Sequence, residues 1–210
     1  RTLINHASNK QRMLHKLCSS LLNKQIPVII QDQPEKITPI LENIWFYKHN
    51  GFLINFDQLT KSKFTSNLLS HQSLEENNLT AISKMLNHHL HEILDNIYLL
   101  KSEGSAGDED KDSEDYTKSL NMYKFCIDSL LHLVRSHKSQ LSKKWILPII
   151  KSLAKVSYFR NNEKKILSAD LNHDEETRDE AKVLANQNDV HTIALERLYS
   201  ILFDVLSSQS

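Results

Sequence analysis

Residues 73–100 read SLEENNLTAISKMLNHHLHEILDNIYLL. Apolar side chains recur through this stretch mostly at spacings of three and four residues, which is the period of one face of an α-helix. They are Leu79, Ile82, Leu86, Leu90, Ile93, Ile97 and Leu100. Ser73 and Glu76 match a capping box, in which a serine oxygen and a glutamate satisfy the free amides at a helix start. The stretch therefore predicts one long amphipathic helix.

Amphipathic patterns on both sides of this stretch predict further helices. They cover residues 2–22, 38–50 with a continuation towards 70, 120–134, 142–154 and 174–205. Ser142 is a residue type that caps helix starts, and Pro148 should bend the helix that follows it. Pro27 and Pro34 predict a connector over residues 25–36, because proline disfavours helical geometry in the residue before it.

Composition supports an entirely helical fold. The chain has 210 residues, of which 40% are hydrophobic, with only three glycines and four prolines. Sheets need frequent turns, and this scarcity of turn residues favours long helices. We predict a single all-α domain over residues 1–210, an irregular bundle or short helical solenoid of about five to seven amphipathic helices.

Two polar segments interrupt the helical patterns. Residues 102–116 hold two of the three glycines and seven acidic side chains against one lysine, which predicts an acidic mobile loop. Residues 161–174 predict a polar connector between helices. The chain also opens on Arg1 inside a helical pattern without a capping residue, so we expect it to be part of a longer protein.

Cysteine use and hydropathy bear on the compartment. Cys18 and Cys126 lie among apolar residues and show no CxxC spacing, which fits a reducing nuclear or cytosolic compartment. The longest apolar run, from Trp145 to Ile150, is much shorter than the roughly 20 residues that span a bilayer. We therefore predict no membrane association, a nuclear location, and the cytoplasm as the alternative.

Sequence motifs of catalysis are not apparent. His88, His91, Glu92 and Asp95 share one helix face and are possible metal ligands, but they lack the HExxH order of zinc enzymes. A solvated helix face is the simpler interpretation. We predict no catalytic residue, metal, cofactor or small-molecule substrate, and keep a helical nuclease or metal enzyme as the third hypothesis.

Charge is segregated along a chain whose formal net charge is zero. Between residues 135 and 165 there are nine basic residues and one acid, while acidic segments flank this region. The candidate macromolecule-binding residues are Lys143, Lys144, Trp145, Lys151, Lys155 and Arg160. The basic side chains of such a strip can bind phosphates, and the aromatic residue beside them can stack on a base. Alternatively, the strip pairs with the acidic loop or is simply solvated.

Two patterns resemble the nucleolus and neural progenitor protein family, which is related to an accessory subunit of ribonuclease MRP. One is LENIWFYKHN at residues 41–50, and the other is the helix pair from Tyr123 to Arg160 with WILPIIKSLAKV at 145–156. This sequence departs from the family at Gly51 and Phe52, where basic or polar residues usually follow the asparagine. The resemblance implies a nucleolar, all-helical accessory subunit used in ribosomal RNA maturation.

Together these observations predict a non-catalytic helical subunit of a nuclear RNA-processing or ribonucleoprotein complex. Its expected partners are other protein subunits and RNA, bound through the basic strip. The alternative is a protein-only helical scaffold, with the stripe from Leu79 to Leu100 as a candidate docking surface, although core packing is the simpler role for this stripe.

Overall fold

A computed structural model describes residues 6–7, 9, 11–46, 54–103, 109–159 and 190–208. Every regular element among these residues is helical, which confirms the all-α prediction. The chain divides into two compact units, Arg1–Met85 and Leu86–Ser210. The single-domain prediction stays a prediction, because compact units of this kind occur within one domain as well as in two. No helix within the described residues combines the length and apolar character needed to cross a lipid bilayer.

The first unit contains mostly short helices. In chain order they are α1 (His15–Ser20), a π-helical turn (Leu21–Gln25), α2 (Ile26–Asp32), a 3-10 turn (Pro34–Lys36), α3 (Ile37–Trp45), α4 (Phe56–Thr60), α5 (Phe64–Leu69) and the start of α6 (Glu76–Glu103). The connector predicted at 25–36 is wrong, since α2 occupies most of it. Pro27 lies in the first turn of α2, where a missing N–H removes little from the helix.

Helix α3 begins one residue before the predicted start. Its buried side chains Ile37, Leu41 and Trp45 are spaced four residues apart and form one face. The residues that follow, 47–53, lie outside the described part of the chain and include Gly51. Further on, both carboxylate oxygens of Asp57 cap α5, accepting hydrogen bonds from the amides of Thr65 (2.9 Å) and Ser66 (3.0 Å).

Helix α6 begins at Glu76, two residues later than a capping box with Ser73 as the N-cap suggested. Asn78 Oδ1 accepts a hydrogen bond of 3.2 Å from the amide of Glu75, the residue just before the helix, whereas Ser73 Oγ lies 2.6 Å from His71 Nδ1. The predicted apolar stripe is buried from Leu79 to Ile97. The idea of this stripe as a docking surface is therefore wrong: its side chains are core, each contributing about 1.5–3 kcal/mol by burial.

The second unit is built from longer helices. It contains the remainder of α6, α7 (Glu109–Ser136), a 3-10 turn (Lys138–Gln140), α8 (Lys143–Ala154), a π-helical turn (Lys155–Phe159) and α9 (Val190–Ser207). The loop predicted at 102–116 is shorter than expected, because α6 runs to Glu103 and α7 starts at Glu109. Acidic residues in the first turn of a helix interact favourably with the helix dipole, so a helix can begin within an acidic segment. Residues 104–108 and the connector predicted at 161–174 lie outside the described residues.

Helix α9 packs against α7, α8 and the π-helical turn. Tyr123, fully buried on α7, donates a hydrogen bond of 3.0 Å to the carbonyl of Val190 at the start of α9. Buried His191 on α9 reaches the carbonyl of Val156 through Nδ1 (2.7 Å) and Tyr98 Oη through Nε2 (3.2 Å). Through Nδ1, His191 ties the first turn of α9 to the π-helical turn that follows α8.

Asp204 fixes the other end of α9. Its carboxylate is buried and accepts hydrogen bonds from Arg135 Nε (2.8 Å) and Lys138 Nζ (2.7 Å), near the end of α7. Burial alone raises the pKa of Asp204, but the two hydrogen bonds and the positive charges outweigh it, so the pKa lies below its ordinary value. The charged form of Asp204 is thus the stabilised form in the folded chain.

Replacing Asp204 by asparagine should lower the free energy of unfolding at pH 7 by about 1–2 kcal/mol, because two charge-assisted hydrogen bonds weaken and both donors are half-exposed. A carboxyl with a depressed pKa stabilises the fold above its unfolded pKa and loses that contribution as pH falls. The difference between the two proteins should therefore shrink below about pH 4. Urea unfolding across pH measures it.

The matched control is Asp128→Asn, which removes the exposed ion pair of 2.7 Å with Arg197 between α7 and α9. Its expected cost is below about 1 kcal/mol. Equal losses from the two variants, or a loss for Asp204→Asn that does not change with pH, would contradict this role of Asp204.

Candidate functional site

Helix α8 carries the central part of the predicted basic strip. Ser142 caps it, accepting a hydrogen bond of 3.3 Å from the amide of Lys144, which confirms the predicted start. Pro148 lies inside the helix and has no N–H to donate to the carbonyl of Lys144, four residues earlier. The helix nevertheless continues to Ala154 and then widens into the π-helical turn.

The two faces of α8 differ sharply in character. Trp145, Ile149 and Leu153 are fully buried, at spacings of four residues. Lys144, Lys151 and Lys155 recur at spacings of seven and four residues on the opposite, exposed face, and Lys143 is also exposed. The structure therefore brings four of the six candidate residues to one solvent-facing side. We call Lys143, Lys144, Lys151 and Lys155 the α8 basic face.

Most of this basic face lacks an internal counter-charge. Lys143, Lys151 and Lys155 form no ion pair with any other described residue, whereas Arg135 and Lys138 from the same basic region are bound to Asp204. Pairing with the acidic stretch stays a prediction, because the side chains of residues 101–114 lie outside the described part. Arg160, the sixth candidate, also lies outside the described residues.

Trp145 is not available for stacking on a base. Its side chain is 0% exposed, and its indole N–H donates a hydrogen bond of 3.1 Å to the carbonyl of Gln140. The interpretation of Trp145 as a binding residue is therefore wrong. The tryptophan stands four residues before Ile149 and so falls on the buried face of α8, which its sequence spacing already indicated.

An exposed apolar surface was missed by the sequence analysis. Tyr199, Phe203 and Leu206 on α9 are 57%, 73% and 67% exposed. Their spacings of four and three residues place them on one face, opposite the buried stripe that includes Ala194 and Ile201. The sequence did contain a sign of this surface, because α9 has apolar residues on two sides. The core accounts for only one of these sides.

Tyr158 joins this surface to the end of α8. Its hydroxyl oxygen lies 3.2 Å from that of Tyr199, and it is half-exposed. The hydrogen bond to Tyr199 is the main cause that raises the pKa of Tyr158, so the Tyr158 phenol stays neutral near neutral pH.

The histidines proposed as possible metal ligands make other contacts. His91 Nε2 lies 2.9 Å from Ser152 Oγ, so His91 links α6 to α8. His88 and His89 both approach Glu92, at 3.7 Å and 3.0 Å. Across the described residues, no three histidine, cysteine, aspartate or glutamate side chains gather in a way that could hold a metal ion.

Both cysteines are buried and free. Burial in an apolar environment raises the pKa of the Cys126 thiol strongly, because the thiolate would lose its hydration. Cys126 therefore stays protonated and behaves as a small apolar core residue.

Comparison with known proteins identifies the family. The DNA polymerase phi family matches residues 1–210. The chain belongs to this family. The rDNA transcriptional regulator POL5 of Saccharomyces cerevisiae is 28% identical over 203 residues, which cover 96% of this chain and 16% of the yeast protein. The chain thus spans about a sixth of this relative, and no solved structure gave a significant match.

The ribonuclease MRP accessory family that two sequence patterns resembled is not the family that matches. Within those patterns, Leu41, Trp45, Trp145, Ile149 and Leu153 are all buried. Aromatic and aliphatic residues at helical spacing are a general requirement of core packing, so they match between unrelated helical proteins. In the helix pair the resemblance came from core positions, while Tyr47, His49 and Asn50 of the first pattern lie outside the described residues.

Trp145→Phe should lower the free energy of unfolding by about 1–2 kcal/mol, since it removes a buried hydrogen bond and some packing. It should leave the affinity of the folded chain for RNA or DNA within about twofold. Chemical denaturation and fluorescence anisotropy with labelled nucleic acid measure the two effects. A tenfold loss of affinity at unchanged stability would restore Trp145 as a contact residue.

Proposed function

We propose that this chain is a non-catalytic, helical part of a nucleolar protein, and that the α8 basic face binds the phosphate backbone of nucleic acid there. The observation that carries the proposal is the set of four exposed lysines on one side of α8, three of them without a counter-charge among the described residues. Free ammonium groups on a rigid helix attract phosphates and release the counterions condensed around them.

The relative's name supports the location and the kind of role. POL5 is described as a regulator of ribosomal DNA transcription, and ribosomal DNA is transcribed in the nucleolus. A regulator acts by binding, which agrees with a non-catalytic role even though the family is named after a polymerase. Processing of the RNA transcribed at the same place, and so ribosome biogenesis, is the finer form of this proposal.

The dimensions of the basic face suit a phosphate backbone. Lys144 and Lys155 are eleven residues apart, which corresponds to about 16 Å along a helix. Phosphates of one strand follow each other about every 3.4 Å along the axis of a DNA duplex, so lysines on a helix that lies along this axis span roughly five of them. Contacts of this kind are independent of sequence, and we expect duplex DNA and single-stranded RNA both to bind.

A second candidate function is protein binding, as in a helical scaffold. It is favoured by a separate observation, the exposed apolar side chains of Tyr199, Phe203 and Leu206. Exposed apolar groups that lie together on a helix face are typical of protein interaction sites. The two functions use different side chains and are compatible with each other.

Replacing Lys143, Lys144, Lys151 and Lys155 together by glutamine should weaken binding to RNA and DNA on the order of tenfold or more at low salt. If all four lysines contact phosphates, the logarithm of the association constant should fall with the logarithm of salt with a slope of about −3 for single-stranded RNA. The quadruple variant should lose most of this slope. Fluorescence anisotropy across a salt series measures both effects.

A matched control replaces four other exposed lysines by glutamine: Lys16, Lys63, Lys84 and Lys118. This variant has the same net charge but keeps the α8 basic face, so its affinity should change less than about threefold. Similar losses in the two variants would show a diffuse effect of net charge, and an unchanged affinity in the first would reject α8 as the binding surface.

A further inference from the structure

The outer side of α9 is apolar where a helix at a protein surface is normally polar. Tyr199, Phe203 and Leu206 form this outer face, and they point away from the side that buries Leu198 and Ile201. A helix with apolar residues on both sides is typically covered on both sides. Nearly three-quarters of the surface of Phe203 is left in water, and contact with water is unfavourable for an apolar side chain, so a partner that covered it would gain free energy.

The side chains of this face suit a protein partner. Tyrosine and phenylalanine bury large areas at a small cost in conformational entropy, and aromatic residues are enriched in interfaces. The bond between the hydroxyl groups of Tyr158 and Tyr199 also holds two of the rings in place before any partner arrives. A preorganised surface loses less freedom on binding.

The charges beside α9 indicate what the partner carries. On the α8 side are Lys151 and Lys155, which have no counter-charge among the described residues. On the α7 side Arg135 and Lys138 share the single carboxylate of Asp204. Among the described residues, positive charge is therefore in excess on each side of the outer face.

The acids near α9 do not remove this excess. Asp128 is paired with Arg197, so that pair is neutral as a whole. Glu196 is exposed one turn before Tyr199, at one end of the outer face. A partner with acidic side chains on both sides of an apolar stripe would find complementary charge along most of the surface.

We propose that the outer face of α9 binds an amphipathic helix of another protein, with an apolar stripe flanked by acidic residues. Apolar side chains at spacings of three and four residues pack on Tyr199, Phe203 and Leu206. Carboxylates beside the stripe pair with Lys151 and Lys155. This inference rests on the protein-binding function proposed above. It uses Lys151 and Lys155, which also belong to the α8 basic face, whereas the apolar contacts of Tyr199, Phe203 and Leu206 are separate from nucleic-acid binding.

A second copy of this chain is a poorer occupant than an acidic helix. Two outer faces brought together would also bring their lysines together, and like charges facing each other in an interface cost binding energy. A nucleic acid is disfavoured too, because the outer face itself carries no cation within the described residues.

The probe is a synthetic helical peptide of about 20 residues, long enough to be partly helical alone, with leucines at heptad positions a and d and glutamates beside them. Its matched control has lysine in place of every glutamate. Fluorescence anisotropy with the whole 210-residue chain should show the acidic peptide binding at least tenfold more tightly than the basic one. Lys151→Gln with Lys155→Gln should reduce that preference.

Phe203→Ser should weaken binding of the acidic peptide at least tenfold, while thermal unfolding stays close to that of the original chain because the side chain is mostly exposed. The control Leu17→Ser removes an equally apolar exposed residue from the first unit and should change nothing. RNA affinity should be the same for Phe203→Ser and the original chain, which separates this surface from the α8 basic face.

Three results would overturn the proposal. The first is no binding of the acidic peptide, and the second is equal binding of acidic and basic peptides, which would indicate unspecific apolar adhesion. The third is a dimer in sedimentation velocity that Phe203→Ser dissociates, which would make a second copy the occupant. A monomeric chain that binds the acidic peptide through Phe203 supports the proposal.

Discussion

The second unit depends on how α9 is held between α7 and α8. Helices α8 and α9 are separated in sequence by residues 155–189, so their packing is non-local. Apolar burial supplies the attraction but little direction, because many rotations of an apolar helix bury similar area. Direction comes from polar anchors at both ends: Tyr123 and His191 at the first turn, and Asp204 three turns later. These contacts determine which side of α9 is core and which side is left at the surface.

The sequence predicts those features that follow from a periodic pattern. The long buried stripe of α6, the cap of α8 by Ser142 and the exposure of Lys151 opposite Leu153 all follow from spacing. Local rules fail where context overrides them. Pro27 suggested a break but sits in a first turn, and the acidic segment suggested a loop, yet a helix begins at Glu109. Proline costs little in a first turn, where its missing N–H has no partner, and acidic residues there are favoured by the helix dipole. Sequence alone does not fix where the helix starts.

In the candidate site, too, some features follow from the spacing of residues and others depend on contacts with distant parts of the chain. On a helical wheel, Lys144 and Trp145 fall on different faces of α8. The error over Trp145 came from grouping residues that are close in sequence, when the face of the helix decides which of them are exposed together. The outer face of α9 was overlooked for the opposite reason, since a helix with apolar residues all round gives no preferred side. Which side faces the core is decided by Arg135, Lys138 and Tyr98, all far away in sequence. Family membership identifies the chain as a whole and is silent about its surfaces.

The clamp on Asp204 has a mechanical consequence. Arg135 and Lys138 hold one carboxylate oxygen each, from the end of α7 and from the 3-10 turn after it. A slip of α9 by a single residue would turn the helix by about 100° and shift it by 1.5 Å, which breaks both bonds. The two ion pairs of Asp204 therefore fix both the rotation of α9 about its axis and its position along that axis. A ligand that binds the far side of α9 would meet side chains whose orientation is already fixed.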